Sequence, residues 1–174
     1  MGRHTRSVRR LLSGAAWLVA LVLMTPLSAR ADATVLVGLT SVDALRPSFG
    51  WSFSYRPSAV GVEVEYLSTV PGDYSAGGIF GSVIVVPGTI SNVQIFVLGG
   101  VGVWGEGFDG GKRTGVLSAA NVGGGVLVGL GGPVRLRLDY RLFRLGEVAE
   151  AEVGAIAPSR KHPQRIAAGL YFDF

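Results

Sequence analysis

The residues best placed to do chemistry are charged side chains that alternate with apolar ones in three segments of the chain. If these segments are extended, side chains two positions apart lie on one face. That face then carries four acidic and four basic groups: Glu63, Glu65, Asp139, Asp173, Arg135, Arg137, Arg141 and Arg165. Buried charges are costly unless they are paired. We therefore predict an internal network of ion pairs that fills and holds the structure, with a narrow gated path through switchable pairs as the alternative.

A second candidate is a nucleophile and base pair near the C-terminal end. After residue 31 the chain has one histidine, His162, with Ser159 close to it. Both lie in a polar segment with several glutamates, and loop groups are poorly preorganised for catalysis. The chain has no cysteine, and one histidine with scattered acids provides no metal-ligand spacing. We predict no catalytic residue, no metal and no cofactor.

The segment Gly100–Gly105 matches the G-x-G-x-x-G pattern of dinucleotide sites. That site needs a helix to begin there and an acidic residue about 20 positions on. The residues that follow, 106–111, have the composition of a loop, and the region around Gly125 is glycine-rich. The match does not indicate a nucleotide site.

The N-terminal segment has the pattern of an export signal. Basic residues between Arg3 and Arg10 precede the apolar run Leu11–Met24, and Ala29-Arg30-Ala31 fits a cleavage site. We predict a cleavable signal peptide over 1–31 and a mature domain over 32–174. A retained anchor is the alternative, but the run is short for a membrane span.

The basic character of the whole chain comes from this predicted signal peptide. The chain has 16 Lys and Arg and 12 Asp and Glu, and five of the arginines lie within the first 31 residues. The mature part therefore has 11 basic and 12 acidic residues and no basic stripe. This excludes nucleic acid as an expected partner.

The elements that position the charged residues are predicted to be β-strands, because apolar and polar residues alternate with a period of two. In the clearest segment, Val134, Leu136, Leu138, Tyr140 and Leu142 share one face and the arginines lie on the other. We predict eight strands over 33–41, 47–56, 59–68, 78–88, 93–105, 116–130, 133–145 and 164–174.

The connections between these strands alternate in length. The short ones are 56–58, 88–92 and 131–133; the longer ones are 42–46, 69–77, 106–115 and 146–163. Short periplasmic turns and longer extracellular loops are typical of transmembrane barrels. An open sheet edge cannot face lipid, so the sheet must close. The predicted fold is all-β: an eight-stranded antiparallel up-and-down transmembrane β-barrel preceded by a signal peptide.

A barrel of eight strands has an interior just wide enough for side chains to fill. Gly100, Gly102, Gly123 and Gly125 fall on predicted inward faces, where they leave room for long arginines and glutamates. On the outside we expect interfacial aromatic girdles. Their predicted members are Tyr66, Trp104, Tyr140 and Phe172.

Three segments and the chain end resemble a known family. Val62–Thr69, Val97–Trp104 and Leu136–Phe143 are similar to the small OmpA-like, opacity-type eight-stranded outer-membrane barrel. The terminal residues Tyr171, Phe172 and Phe174 look like the assembly signal that the outer-membrane insertion machinery reads. The resemblance spans the mature chain and implies an outer-membrane barrel assembled by that machinery. We predict a monomeric, non-enzymatic protein with a structural or surface-interaction role.

The charges predicted for the long loops favour contact with outer-membrane lipid and lipopolysaccharide phosphates. Basic residues predicted near the outer leaflet are Lys112, Arg113, Arg144, Arg160 and Lys161. Three alternative functions stay open from the sequence. These are a narrow channel or conduit for small apolar molecules, a soluble periplasmic ligand-binding barrel, and a lipid A-modifying enzyme using a Ser–His pair.

Overall fold

The computed structural model describes residues 30–70, 72–108, 113–146 and 162–174. They form eight β-strands: β1 (Arg30–Ser41), β2 (Leu45–Arg56), β3 (Val60–Thr69), β4 (Tyr74–Ile90), β5 (Val93–Phe108), β6 (Arg113–Gly131), β7 (Val134–Leu145) and β8 (Gln164–Asp173). The predicted signal peptide lies outside the described residues except for residues 30–31, which begin β1. In the described ranges, no helix is long and apolar enough to cross a membrane.

The sheet closes on itself. Each strand pairs antiparallel with its neighbours in chain order, and β1 pairs with β8 from Asp32↔Asp173 to Ser41↔Gln164. Closure leaves no open edge between the first and last strands, so their backbone groups are hydrogen-bonded without water. The prediction of an eight-stranded antiparallel barrel is confirmed.

Five strands, β1, β2, β4, β5 and β6, are longer than predicted, and the last three of them replace predicted loops. β4 has 17 residues, β5 has 16 and β6 has 19, because pairing continues to Tyr74↔Phe108 and Phe108↔Arg113. The predicted loops 69–77 and 106–115 are therefore wrong over most of their length, and the connections shrink to 70–73 and 109–112. Glycine and serine give these segments the composition of loops, although cross-strand hydrogen bonds hold them extended.

The outward face of the barrel is apolar. Along β7, Leu138, Tyr140 and Leu142 are 44%, 46% and 40% exposed, whereas the residues between them point inward and are buried. Exposed valines, leucines and aromatic residues continue this surface around the other strands, among them Val37, Phe53, Val64, Val83 and Val97. An apolar surface of this extent is unfavourable in water and suits lipid.

An exposed ion pair closes the turn between β1 and β2. Arg46 donates hydrogen bonds to both carboxylate oxygens of Asp43, at 2.7 and 2.6 Å. These hydrogen bonds lower the pKa of Asp43 from 3.8 to about 2. The guanidinium of Arg46 also lies over the ring of Tyr74, 5.0 Å from its centroid.

We expect Asp43→Asn to lower the free energy of unfolding by less than about 1 kcal/mol, because exposed pairs are screened by water. Since folding lowers the pKa of Asp43, its contribution is present above pH 3.8 and is lost as the pH falls towards 2. Urea unfolding of both proteins measures this at neutral pH and near pH 2. A difference between them that grows on acidification would contradict the assignment.

Candidate functional site

The centre of the lumen contains a network of six charged side chains. They come from β3, β7 and β8 and are at most 3% exposed: Glu63, Glu65, Arg137, Asp139, Arg141 and Arg165. β3 and β7 are four strands apart in an eight-stranded ring, so they face each other across the lumen. The network therefore spans the inside of the barrel.

The two glutamates of β3 receive hydrogen bonds from the arginines opposite. The guanidinium of Arg137 contacts both carboxylate oxygens of Glu63, at 2.5 and 3.2 Å. Arg141 donates to the same carboxylate at 2.6 Å, and Arg165 contacts both oxygens of Glu65, at 2.7 and 3.1 Å. These paired contacts have the geometry of strong charge-assisted hydrogen bonds.

Asp139 connects the three arginines. Its carboxylate accepts hydrogen bonds from Arg137 at 2.8 Å and from Arg141 and Arg165 at 3.1 Å. With Glu63 and Glu65 it balances the three guanidinium groups, so the six-residue network is neutral. Neutrality and dense hydrogen bonding offset the cost of removing these charges from water.

The other two residues predicted for the network form a separate pair. Arg135 donates to Asp173 at 2.8 Å, and their side chains are 17% and 18% exposed. The pair lies where β7 begins and β8 ends, on the side of the barrel that holds the start of β1. The structure thus brings six of the eight residues together and places two at the barrel mouth.

A second charged group at this mouth was missed by the sequence analysis. Arg56 donates to the hydroxyl of Tyr171 at 3.0 Å, and one of its terminal nitrogens lies 3.8 Å from the carboxylate of Asp32. The sequence analysis treated Asp32 only as the first mature residue, and it placed Arg56 at the end of the predicted strand 47–56 and in the following turn without including it in the network. The alternation within each strand was the available signal, because Asp32 and Arg56 both fall on inward positions.

An aromatic plug lies on the opposite side of the network. Phe80, Trp104 and Phe143 are 2% exposed or less, with ring centroids 5.1 to 6.4 Å apart. The indole nitrogen of Trp104 donates to the carboxylate of Glu106 at 3.1 Å. Along β7, Phe143 follows Arg141 on the inward face, so the plug covers the network from the end where β7 leads to β8.

The predicted position of Trp104 in an outer girdle is wrong. The residue points into the lumen and is fully buried. Trp104 has the same strand parity as Gly100 and Gly102, which were predicted to point inward. The alternation therefore contained the correct orientation, and the general preference of tryptophan for membrane interfaces was misleading here. Of the other predicted girdle residues, Tyr140 points outward and Tyr66 and Phe172 are half-buried.

A second apolar cluster packs beside the network from the other end. It consists of Ile84, Val86, Phe96, Leu98, Leu127 and Tyr171. The guanidinium of Arg137 lies over the ring of Phe96, 4.6 Å from its centroid, in a cation–π contact. Buried apolar side chains thus lie on both sides of the network along the lumen.

Inward glycines make room for these large side chains. A Cβ on Gly123 would meet the carbonyl oxygen of Tyr140 and lie 2.8 Å from Cγ of Arg141. At Gly125 the corresponding neighbour is Phe96, at 2.8 Å. The predicted link between glycine and arginine applies to Gly123, whereas Gly125 accommodates an aromatic ring.

The remaining candidate residues do not assemble into a chemical site in the described part of the chain. Gly100–Gly105 lies inside β5. His162 is exposed, and Ser159 lies outside the described residues. No group of three or more His, Cys, Asp or Glu side chains that could hold a metal occurs among the residues described.

The predicted lipopolysaccharide contacts and terminal signal are placed only in part. Lys112, Arg160 and Lys161 lie outside the described residues, and Arg113 is described only as backbone of β6. Arg144 is exposed on the outer face. Of the terminal residues, Tyr171 is buried inside the barrel, Phe172 is half-buried and Phe174 is 78% exposed.

No protein-family profile matches this chain, and no curated protein sequence matches it. Solved structures do match. Neisserial surface protein A is 19% identical, with 84% of this chain and 97% of that chain covered and a TM-score of 0.65. The chain has the fold of outer-membrane β-barrels. A major outer membrane protein from Thermus thermophilus is 9% identical. The match covers 84% of this chain and 100% of that chain, with a TM-score of 0.67.

The N-terminal barrel domain of Pseudomonas aeruginosa OprF is similar as well. It is 13% identical, covers 82% of this chain and 97% of that chain, and has a TM-score of 0.60. At such low identities the likeness concerns the fold alone. The barrel implied by the OmpA-like resemblance is therefore confirmed, while membership of that family stays a prediction.

Proposed function

We propose that this protein is an integral, non-enzymatic protein of the bacterial outer membrane with a closed lumen. Its role is to support the membrane or to interact at the cell surface. The observation that carries the proposal is the six-residue network, which joins β3 to β7 and β8 across the inside of the barrel. A barrel braced in this way acts as a rigid membrane-embedded scaffold.

The outward surface supports the location. Exposed apolar side chains surround the barrel, and the buried polar residues lie inside it. This inside-out arrangement suits lipid as the outer solvent. The similar solved barrels include outer-membrane proteins, and the sequence predicts an export signal before β1. Together these features favour the outer membrane over a soluble periplasmic barrel.

The packing of the lumen favours a closed barrel over a channel. Arg137 and Arg141 are fully buried, and the aromatic plug covers the network at one end. An ion would have to displace several buried pairs, and breaking one such pair costs roughly 3–5 kcal/mol. The same burial argues against catalysis by these charges, because a substrate cannot reach them.

Conductance across a planar lipid bilayer tests the closed lumen. We expect the refolded protein to insert without stepwise ion currents, because buried and paired side chains occupy the lumen at the charged network. Arg46→Gln, which changes an exposed arginine, is the matched control for Arg137→Gln. Discrete currents in the unchanged protein that Arg137→Gln alters and Arg46→Gln does not would contradict the proposal and establish the gated channel.

A further inference from the structure

The lipid-facing wall of the barrel contains an isolated positive charge. Val134, Leu136, Leu138, Tyr140 and Leu142 precede Arg144 on the outer face of β7. Arg144 is the one charged residue on the outward positions of the strands wherever side chains are described. It is exposed, and its side chain makes no ion pair or hydrogen bond with another described residue. Within the described residues this guanidinium next to lipid has no anionic partner, and its charge favours binding an anion.

A shallow apolar groove lies directly beside Arg144. It has a volume of about 540 Å³, and the outward side chains of Val101, Val103, Ser118 and Ala120 line it. The groove forms because β6 pairs with β7 only as far as Ala119↔Leu145, while its pairing with β5 continues to Phe108↔Arg113. The β5–β6 hairpin rises past the end of β7, and its small outward residues leave the depression.

The end of the barrel that carries Arg144 faces the cell exterior in the proposed orientation. At the opposite end the connections are the short turns 57–59, 91–92 and 132–133. The long connection 146–163 lies at the Arg144 end. Short turns are periplasmic and long loops extracellular in outer-membrane barrels. Arg144 therefore lies just beyond the extracellular edge of the apolar band, at the level of the headgroups of the outer leaflet.

We infer that Arg144 and the adjoining groove bind one molecule of lipid A. A phosphate of the lipid receives hydrogen bonds from the guanidinium of Arg144, and an acyl chain lies along Val101, Val103 and Ala120. The guanidinium suits the phosphate of lipid A, and the apolar groove suits its acyl chain. Both lie at the depth where the headgroups and the acyl chains of the outer leaflet meet. The inference rests on the proposed outer-membrane location and adds a specific lipid to it.

Native mass spectrometry of the refolded protein in detergent tests this site. The probes are bisphosphorylated lipid A, dephosphorylated lipid A and phosphatidylglycerol. We expect one lipid A per barrel and an affinity at least about tenfold weaker for Arg144→Gln, because a charge-assisted hydrogen bond is lost. Val103→Trp, which fills the groove, should weaken binding similarly. Arg46→Gln at the same end of the barrel is the control and should bind normally.

Three results would overturn the inference. These are equal binding by Arg144→Gln, equal binding of dephosphorylated lipid A, and phosphatidylglycerol that binds as tightly as lipid A. Unchanged binding by Val103→Trp would remove the acyl groove from the site. A heat-dependent shift on SDS gels shows for each variant whether the barrel has folded. Failure to fold into a barrel would refute the proposed function itself, whereas a folded barrel without lipid A binding would refute only this site.

Discussion

Replacing Glu63 with glutamine is expected to lower the free energy of unfolding by about 3 kcal/mol or more. The carboxylate of Glu63 accepts hydrogen bonds from Arg137 and Arg141 and lies 3.4 Å from the hydroxyl of Ser52. Glutamine keeps the shape of the side chain but removes its charge. Three buried arginines then face two carboxylates, and the lumen holds an uncompensated positive charge.

Urea unfolding in lipid vesicles, followed by tryptophan fluorescence, measures this loss. Asp43→Asn is the matched control, because it removes one carboxylate from an ion pair in the exposed turn between β1 and β2. The expected difference between the two variants is at least about 2 kcal/mol. Equal effects would show that burial does not strengthen the lumen network and would remove its proposed bracing role.

Replacing Gly123 with valine is expected to prevent the barrel from reaching its SDS-resistant folded form. The new Cβ would overlap the carbonyl oxygen of Tyr140 and press on the side chain of Arg141, which the network holds in place. Overpacking of a buried site costs about 1–3 kcal/mol and more where the neighbour is backbone. Here the backbone of β7 would have to move away from β6, which would break their pairing.

Gly81→Val is the control for this substitution. Gly81 points outward from β4, and a Cβ there would meet nothing within 4 Å. Valine favours strands and lipid contact, so this variant should fold at least as well as the unchanged protein. The folded fraction is read from the unboiled lanes of SDS gels after refolding. Normal folding of Gly123→Val would show that the lumen is less tightly packed than described.

Much of the fold could be predicted from the alternation within single strands. In β3 and β7, valine or leucine alternates with charged residues, and the inward positions of Glu63, Arg137 and Asp139 follow directly. Which acid meets which arginine could not be predicted in the same way. That pairing depends on how the strands are staggered when the sheet closes, and β3 is far from β7 in sequence.

The predictions failed where glycine obscures the alternation. In β4, β5 and β6, runs such as Gly77-Gly78 and Gly123–Gly125 carry no side chains that distinguish inside from outside. The ends of these strands were therefore assigned from composition. Trp104 was placed on the outside from its residue type, although its strand parity with Gly100 and Gly102 indicates an inward position. The aromatic plug was missed for a different reason, because its members come from β4, β5 and β7 and meet only when the barrel closes.

The central claim is that the mature chain is a closed barrel inserted in lipid, and a gel-shift measurement tests it most directly. The protein is refolded in detergent and run on SDS gels with and without boiling. We predict that the unboiled protein migrates differently from the boiled one, since closure and the lumen network resist SDS. An identical mobility in both lanes, from a chain that stays soluble in plain buffer, would contradict the account.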